Sequence, residues 1–201
     1  MPTAPPTAPP ERSTDDARAI YDRLLVVRCQ LGERRAIEEL VRRWERPLLF
    51  YVRRLIPAEA DALAVMQEVW VKVLTRLSSL RDPGRLAPWL YTLARNTLMD
   101  HLRDRYAREQ LLAAQRDATG GDEPAVEDDT GWFVAAEEVH FGLSRVSVVD
   151  REVLTLYFLD DLSIDDIAGV LRIPPGTVKS RLFHARNALR DVLRGQKGDQ
   201  R

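Results

Sequence analysis

The sequence predicts an all-α protein made of two small helical domains, and three observations lead to this fold class. Apolar residues recur every three or four positions along most of the 201-residue chain, which is the spacing of one helix face. No segment alternates polar and β-branched residues as a half-buried strand would. Residues 113–131 lose the periodicity and concentrate glycine, proline and acidic residues, so we expect an acidic flexible linker between the domains.

The N-terminal domain is expected over residues 15–112. Residues 1–14 contain five prolines, which exclude a regular element and predict a disordered tail. Four helices follow, separated at Gly32, at Pro57 and by SSLRDPGRLAP at residues 78–88. Their apolar stripes define the helix faces. The stripes include Ile20, Leu24, Val27 and Leu31 on the first helix, Leu40, Leu48, Tyr51 and Val52 on the second, Met66, Val69, Trp70, Val73, Leu74 and Leu77 on the third, and Leu90, Leu93, Ala94, Leu98 and Leu102 on the fourth.

The C-terminal domain is expected over residues 132–195. Helical periodicity returns near Trp132 and continues through residues 150–159, 164–171 and 175–194. The last residues, 196–201, form a polar tail.

Charge is strongly segregated along the chain. The net charge is only −1, yet residues 18–108 carry about +7 and residues 109–140 about −8. Because binding to phosphates depends on local charge, the basic block is compatible with a nucleic-acid partner. The acidic block has two readings: a solvated spacer, or a segment suited to a basic channel.

Several classes of protein are excluded by composition. Cys29 is the only cysteine, so a disulfide framework and a cysteine zinc cage are ruled out, and a cytoplasmic location fits. No apolar run is long enough for membrane insertion, and no secretory signal is present. His101, His140 and His184 do not have metal-ligand spacing, and neither a catalytic constellation nor a cofactor motif appears. We therefore expect no cofactor, no metal and no enzymatic activity.

Residues 163–190 have the pattern of a helix-turn-helix. Ser163 and Asp166 form a capping-box-like start, small Ala168 permits a close helix crossing, and Pro175 suits the first turn of the second helix. On that second helix Val178, Leu182 and Ala185 would face inward.

The opposite face of the second helix combines short polar groups, a ring and cations, as a helix that reads the major groove requires. An ordinary amphipathic surface helix is the alternative. The predicted duplex-binding residues are Thr177, Lys179, Ser180, Arg181, Phe183, His184, Arg186 and Asn187.

These motifs resemble a bacterial protein family. GTVKSRLFHARNALR, preceded by LSIDDIAGVLRIPP and DREVLTLYFLDDLS, is similar to the promoter-reading domain of extracytoplasmic-function sigma factors, which belong to the sigma-70 family. RRAIEELVRRWERPLLFYVRRLI, MQEVWVKVLTRL and PWLYTLARNTLMDHLRDR resemble the other conserved domain of the same family, in the same order. The resemblance covers about residues 18–108 and 140–194.

The resemblance implies a promoter-specificity subunit of bacterial RNA polymerase. Its N-terminal domain would grip the beta-prime coiled coil of core polymerase and open the −10 element of promoter DNA. Its C-terminal domain would read the −35 element as duplex and meet the beta flap. An anti-sigma factor is a further partner that the resemblance raises.

Two sets of residues in the N-terminal domain follow from the resemblance. The polymerase-binding set is Asp61, Gln67, Glu68 and Leu74. The −10 set, in which cations and rings would hold the separated strand, is Arg81, Asp82, Arg85, Trp89, Asn96, Arg103 and Arg105. Core packing for Trp89, a buried structural role for Asn96 and a solvated Gln67–Glu68 pair remain open alternatives.

The sequence departs from the family pattern at a few positions. Leu63 and Ala64 replace the usual acidic residues before the Gln67–Glu68 pair. Arg172 occupies a turn position that commonly holds glycine, and His184 stands where arginine is frequent. We therefore do not predict the promoter sequence from the family.

Two other functions compete with a sigma factor. A conventional dimeric helix-turn-helix regulator would bind a palindromic duplex without polymerase, and residues 18–108 would sense a ligand or dimerise. In a protein-interaction adaptor the helix-turn-helix would no longer contact DNA, and Lys179, Ser180 and Arg181 would be dispensable.

Overall fold

The computed structural model describes residues 12–56, 58–117, 143 and 145–199, which form seven α-helices and no strand. The N-terminal helices are α1 (Arg12–Gln30), α2 (Arg34–Leu55), α3 (Glu59–Arg76) and α4 (Leu86–Asp117). The C-terminal helices are α5 (Val148–Leu154), α6 (Ile164–Leu171) and α7 (Pro175–Asp199). The predicted all-α fold with two helical domains is confirmed.

Helices α2, α3 and α4 contact one another, and α1 packs on α2. Leu40, Leu48, Val69, Leu90 and Leu98 are completely buried, as their stripes predict. Gly32 closes α1 at φ +80, a conformation that glycine adopts without strain, and α2 continues through Pro47. Two short 3₁₀ turns, Leu77–Ser79 and Pro83–Arg85, connect α3 to α4.

The first helix and Leu74 differ from the predicted pattern. Ile20, Leu24, Val27 and Leu31 are 42–81% exposed, whereas Leu25, Val26 and Cys29 are buried. The side of α1 that carries Leu25 and Cys29 therefore meets the bundle. Leu74 is exposed because it lies about 100° around α3 from the buried Val73.

The helix-turn-helix is formed by α6 and α7. The Ser163 hydroxyl accepts a hydrogen bond from the Asp166 amide and caps α6. Arg172 ends α6 in the left-handed conformation, with φ 56 and ψ 46, at a cost of about 1 kcal/mol for a non-glycine residue. A π-helical turn, Thr155–Leu159, extends α5, and Leu156, Ile167, Val178 and Leu182 are buried in this domain.

Helix bounds differ from the predicted domain limits at three places. Helix α1 begins at Arg12, so residues 12–14 are helical although we assigned them to the tail. Helix α4 continues to Asp117, five residues into the predicted linker, and α7 continues to Asp199, within the predicted polar tail. The rest of the linker and the segment from Trp132 to residue 142 lie outside the described residues.

The described part of the chain contains neither a helix capable of crossing a membrane nor a group of three potential metal ligands.

Candidate nucleic-acid interface

Helix α7 presents the predicted duplex-binding residues on the side opposite its buried face. Val178, Leu182 and Ala185 point into the C-terminal domain. Their burial leaves the other side of α7 in solvent. On that side Lys179, Ser180, Phe183, His184 and Arg186 are exposed, and Thr177, Arg181 and Asn187 are half-exposed.

This face carries the chemistry needed to read base edges. The Phe183 ring is 65% exposed and stands edge-on to the His184 ring, with centroids 5.6 Å apart. The Asn187 carboxamide oxygen accepts a hydrogen bond from Arg190 at 2.8 Å, which orients the amide. Arginine and asparagine side chains can contact guanine and adenine edges, and an apolar ring can contact the thymine methyl.

Arg81, Asp82 and Arg85 lie in the loop before α4, and each has a different environment. Gln30 of α1 anchors the loop by donating to the Leu77 and Leu80 carbonyls at 3.0 and 2.8 Å. The Asp82 carboxylate accepts from the Gly84 amide at 2.9 Å, so Asp82 shapes the turn. Arg81 is exposed, whereas Arg85 donates to Asp166 of the C-terminal domain at 2.8 Å.

The residues of the predicted −10 set that lie on α4 differ in their burial and in their partners. Trp89 is half-buried and packs on the core, which agrees with its alternative reading, and Asn96 is half-buried. Arg103 pairs with Asp100 on its own helix. Arg105 pairs with Asp61 at 3.3 Å, so the structure brings together two residues that we assigned to different partners.

The polymerase-binding set lies mainly on α3. Gln67, Glu68 and Leu74 are exposed, and Asp61 is half-buried near the start of the helix. Leu63 and Val71, which we did not predict, are also exposed and share one face with Gln67 and Leu74. The signal for Val71 was an apolar residue outside the inward stripe.

The two domains contact each other through buried polar groups that the sequence did not reveal. The Tyr51 hydroxyl donates to Glu152 Oε1 at 2.7 Å, and Arg95 Nε donates to the same oxygen at 2.9 Å. Arg151 donates to the Arg54 carbonyl at 3.0 Å. Burial raises the pKa of the Tyr51 hydroxyl well above its usual value, so this group remains a donor.

A second tyrosine and a carboxylate meet at the same interface. Asp160, which follows the π-helical turn, is hydrogen-bonded to the Tyr91 hydroxyl of α4. Burial raises the pKa of Asp160 to about 7, and the hydrogen bond from Tyr91 opposes this rise. The pKa of the Arg54 guanidinium is lowered to about 10, mainly by burial and to a smaller extent by the positive charge of Arg151.

Comparisons with known proteins match both domains. Sigma-70 region 2 matches residues 40–108, and Sigma-70, region 4 matches residues 137–189. The RNA polymerase sigma-H factor of Pseudomonas aeruginosa is 31% identical over 86% of this chain and 93% of its own. The ECF RNA polymerase sigma-E factor of Escherichia coli K12 is 29% identical over 85% and 93%.

Two solved structures have a similar fold. CnrH, in complex with the cytosolic domain of CnrY, has a TM-score of 0.61 and 26% identity, covering 87% of this chain and 97% of its own. The sigma factor RpoE of Bartonella quintana, in complex with the anti-sigma factor NepR, has a TM-score of 0.62 and 22% identity, covering 78% and 96%.

Proposed function

Because the chain belongs to the extracytoplasmic-function group of the sigma-70 family of RNA polymerase sigma factors, we propose that its two domains divide the recognition of one promoter between them. The chain directs promoter-specific initiation of transcription with core RNA polymerase. The N-terminal domain binds polymerase and opens the −10 element, and the C-terminal domain reads the −35 element. A conventional regulator is not favoured, because the match extends over both domains.

The exposed face of α7 is the observation that carries the −35 assignment. Its centre holds Ser180, Phe183 and His184, and its margins hold Lys179 and Arg181. Central groups of this kind reach base edges in the major groove, and marginal cations neutralise the flanking phosphates.

For the −10 element we propose a cationic track formed by the loop before α4 and by α4 itself. Arg81 is exposed, and Arg85 and Arg95 lie on the side that faces the C-terminal domain. Separated DNA needs both phosphate neutralisation and surfaces for unstacked bases. Asp82 holds the loop in shape rather than binding DNA directly, because its carboxylate faces the Gly84 amide.

For core polymerase we propose the face of α3 that carries Leu63, Gln67, Val71 and Leu74. Its apolar members are 47–63% exposed, and such residues in one row are typical of a protein interface. The Gln67 carbonyl oxygen and the neighbouring Glu68 carboxylate can accept hydrogen bonds from the basic side chains of a coiled coil.

CnrH and RpoE were solved with the cytosolic domain of CnrY and with NepR, so an anti-sigma factor is a candidate partner of this chain. Sigma factors initiate transcription without chemistry of their own, and we propose no enzymatic activity here. A protein that works on core polymerase is expected in the cytoplasm.

Transcription in vitro tests the function. Purified core polymerase is incubated with fragmented genomic DNA, with and without this protein, and RNA 5′ ends are sequenced. We expect initiation at a discrete set of sites that share two conserved elements. Tight binding to a palindromic duplex without polymerase would instead support the conventional regulator, and neither activity would support the adaptor.

A further inference from the structure

Arg186 lies at one margin of the exposed face of α7. Helical geometry places it about 60° around the helix from Phe183, on the same edge as Lys179. Its side chain is exposed, and among the residues that the structure describes it has neither a carboxylate nor another hydrogen-bond acceptor as a partner. The guanidinium N–H groups of Arg186 are therefore available to a ligand.

An aromatic ring from another element lies beneath this guanidinium. The Phe158 ring, in the π-helical turn that follows α5, has its centroid 5.7 Å from the guanidinium carbon of Arg186. At this distance the face of an aromatic ring attracts a cation. The Tyr157 ring stands edge-on to Phe158 with centroids 4.8 Å apart, so it supports the orientation of the Phe158 ring.

The π-helical turn explains why Tyr157 and Phe158 face solvent. In an uninterrupted α-helix each would lie beside the residue four positions earlier, and those residues, Val153 and Leu154, are buried. The wider turn over Thr155–Leu159 changes the register, and the two rings are 36% and 49% exposed. Single π-helical turns of this kind are frequent at functional sites.

A ring holds a guanidinium differently from a carboxylate. The cation–π attraction involves the face of the ring and needs no hydrogen bond, so the N–H groups stay free. A carboxylate partner occupies the same N–H groups that a phosphate needs. Arg103, for example, donates to Asp100. Phe158 instead restricts the position of Arg186 and leaves its donors to an anion.

We propose that Phe158 is a positioning residue for DNA recognition, whose ring holds the Arg186 guanidinium beside a backbone phosphate of the −35 duplex. This role rests on the function proposed for α7. Cations at the margin of a recognition helix contact phosphates, and such contacts fix the register of the helix on the duplex. Phe158 acts through Arg186 and does not itself contact DNA.

Duplex binding by the full chain in complex with core polymerase tests the positioning role. The probe is a fluorescein-labelled duplex that extends from about 20 to about 50 base pairs upstream of a start site that the protein uses, with unlabelled random duplex as competitor. The test variant is Phe158→Leu, which keeps an apolar side chain and removes the ring. Phe50→Leu is the matched control, because the Phe50 ring also lies beneath an arginine, Arg54 of the N-terminal domain.

We expect Phe158→Leu to weaken binding about two- to fivefold, which corresponds to an exposed cation–π contact. Phe50→Leu should leave the affinity within about 1.5-fold of the parent, and Phe158→Tyr, which keeps a ring beneath Arg186, should do the same. In an Arg186→Ala background, Phe158→Leu should cause no further loss. The loss caused by Phe158→Leu should also shrink as the salt concentration rises, because a phosphate contact weakens with salt.

Two results would overturn the positioning role: an unchanged affinity of Phe158→Leu, or the same loss with and without Arg186. A loss that does not vary with salt would also overturn it, because the effect would then not pass through a phosphate. Circular dichroism verifies helicity, and if Phe158→Leu is not helical, Phe158→Met replaces it with the same expectations. Failure of the −35 assignment would appear separately, as a parent complex that binds this duplex no better than the competitor.

Discussion

Contact between the two domains, which defines the closed chain, should depend on pH through Asp160. Burial raises the pKa of this carboxyl from 3.8 to about 7 in the closed chain, although the hydrogen bond from Tyr91 opposes the rise. In the open chain, where Asp160 is solvated, the pKa of its carboxyl has the ordinary value of 3.8. The closed state therefore binds more protons, so closure is strongest below about pH 4 and weakens as the pH rises to about 7.

The size of the effect follows from these two values. The open-to-closed ratio should rise about fivefold from pH 6 to pH 7 and about twofold more from pH 7 to pH 8. The groups that face Asp160 are Tyr91 and Tyr51 of the N-terminal domain and the adjacent Asp161. Both tyrosines have raised pKa values and stay neutral in this range.

Fluorescence energy transfer between dyes attached to Ser78→Cys and Gly169→Cys, in a background carrying Cys29→Ala, checks the prediction from pH 5.5 to 8.5 at constant ionic strength. Residue 78 is exposed, and a side chain added at Gly169 meets no atom within 4 Å. The matched variant is Asp160→Asn, which keeps the shape of the side chain but cannot titrate. It should show a flat profile over the same range. A parent profile that is flat, or a slope that persists unchanged in Asp160→Asn, would refute the reasoning.

Three further substitutions test separate surfaces and the core. Arg181→Ala should weaken binding of the polymerase-bound protein to a −35 duplex by about 1–3 kcal/mol in a mobility-shift titration, and an unchanged affinity would remove Arg181 from the interface. Gln67→Ala with Glu68→Ala should reduce co-purification with core polymerase while the thermal melt stays constant, and undiminished co-purification would contradict the assignment. Leu40→Ala should lower the free energy of unfolding in urea by about 2–5 kcal/mol, because Leu40 is fully buried, and a loss below 1 kcal/mol would argue against the packing of α2.

Helical periodicity was sufficient to predict most of the fold, and α1 shows where it fails. Ile20, Leu24, Val27 and Leu31 have helix-face spacing, but Leu25 and Cys29 make up the buried side. A helix with apolar residues on two sides does not indicate by its pattern alone which side meets the core. That choice depends on the neighbouring helices.

The helix-turn-helix and the exposed face of α7 were predictable because both depend on local sequence. The turn, the cap and the inward residues of α7 lie within about thirty positions, and helical geometry then fixes which residues face solvent. The exposed face of α3 that we propose for core polymerase contains the predicted Gln67 and Leu74, and it also contains Val71, which we did not predict although it is an apolar residue outside the inward stripe.

The contacts between domains could not be predicted in the same way. Tyr51 and Glu152 are 101 residues apart, and Arg85 and Asp166 are 81 apart, so no local pattern relates them. Each residue has an ordinary explanation in its own helix, as a core tyrosine or a surface charge. Only the packing of α5 and α6 on α2 and α4 brings them together.

The most direct test of the whole account is energy transfer within the dye-labelled protein bound to core polymerase on promoter DNA. We predict that the high-transfer state of the free protein is replaced by a low-transfer state in the initiating complex, with the domains separated and Arg85 and Arg95 released. An initiating complex that retains the high-transfer state would contradict the account, because the C-terminal domain would then still cover the surface assigned to the −10 element.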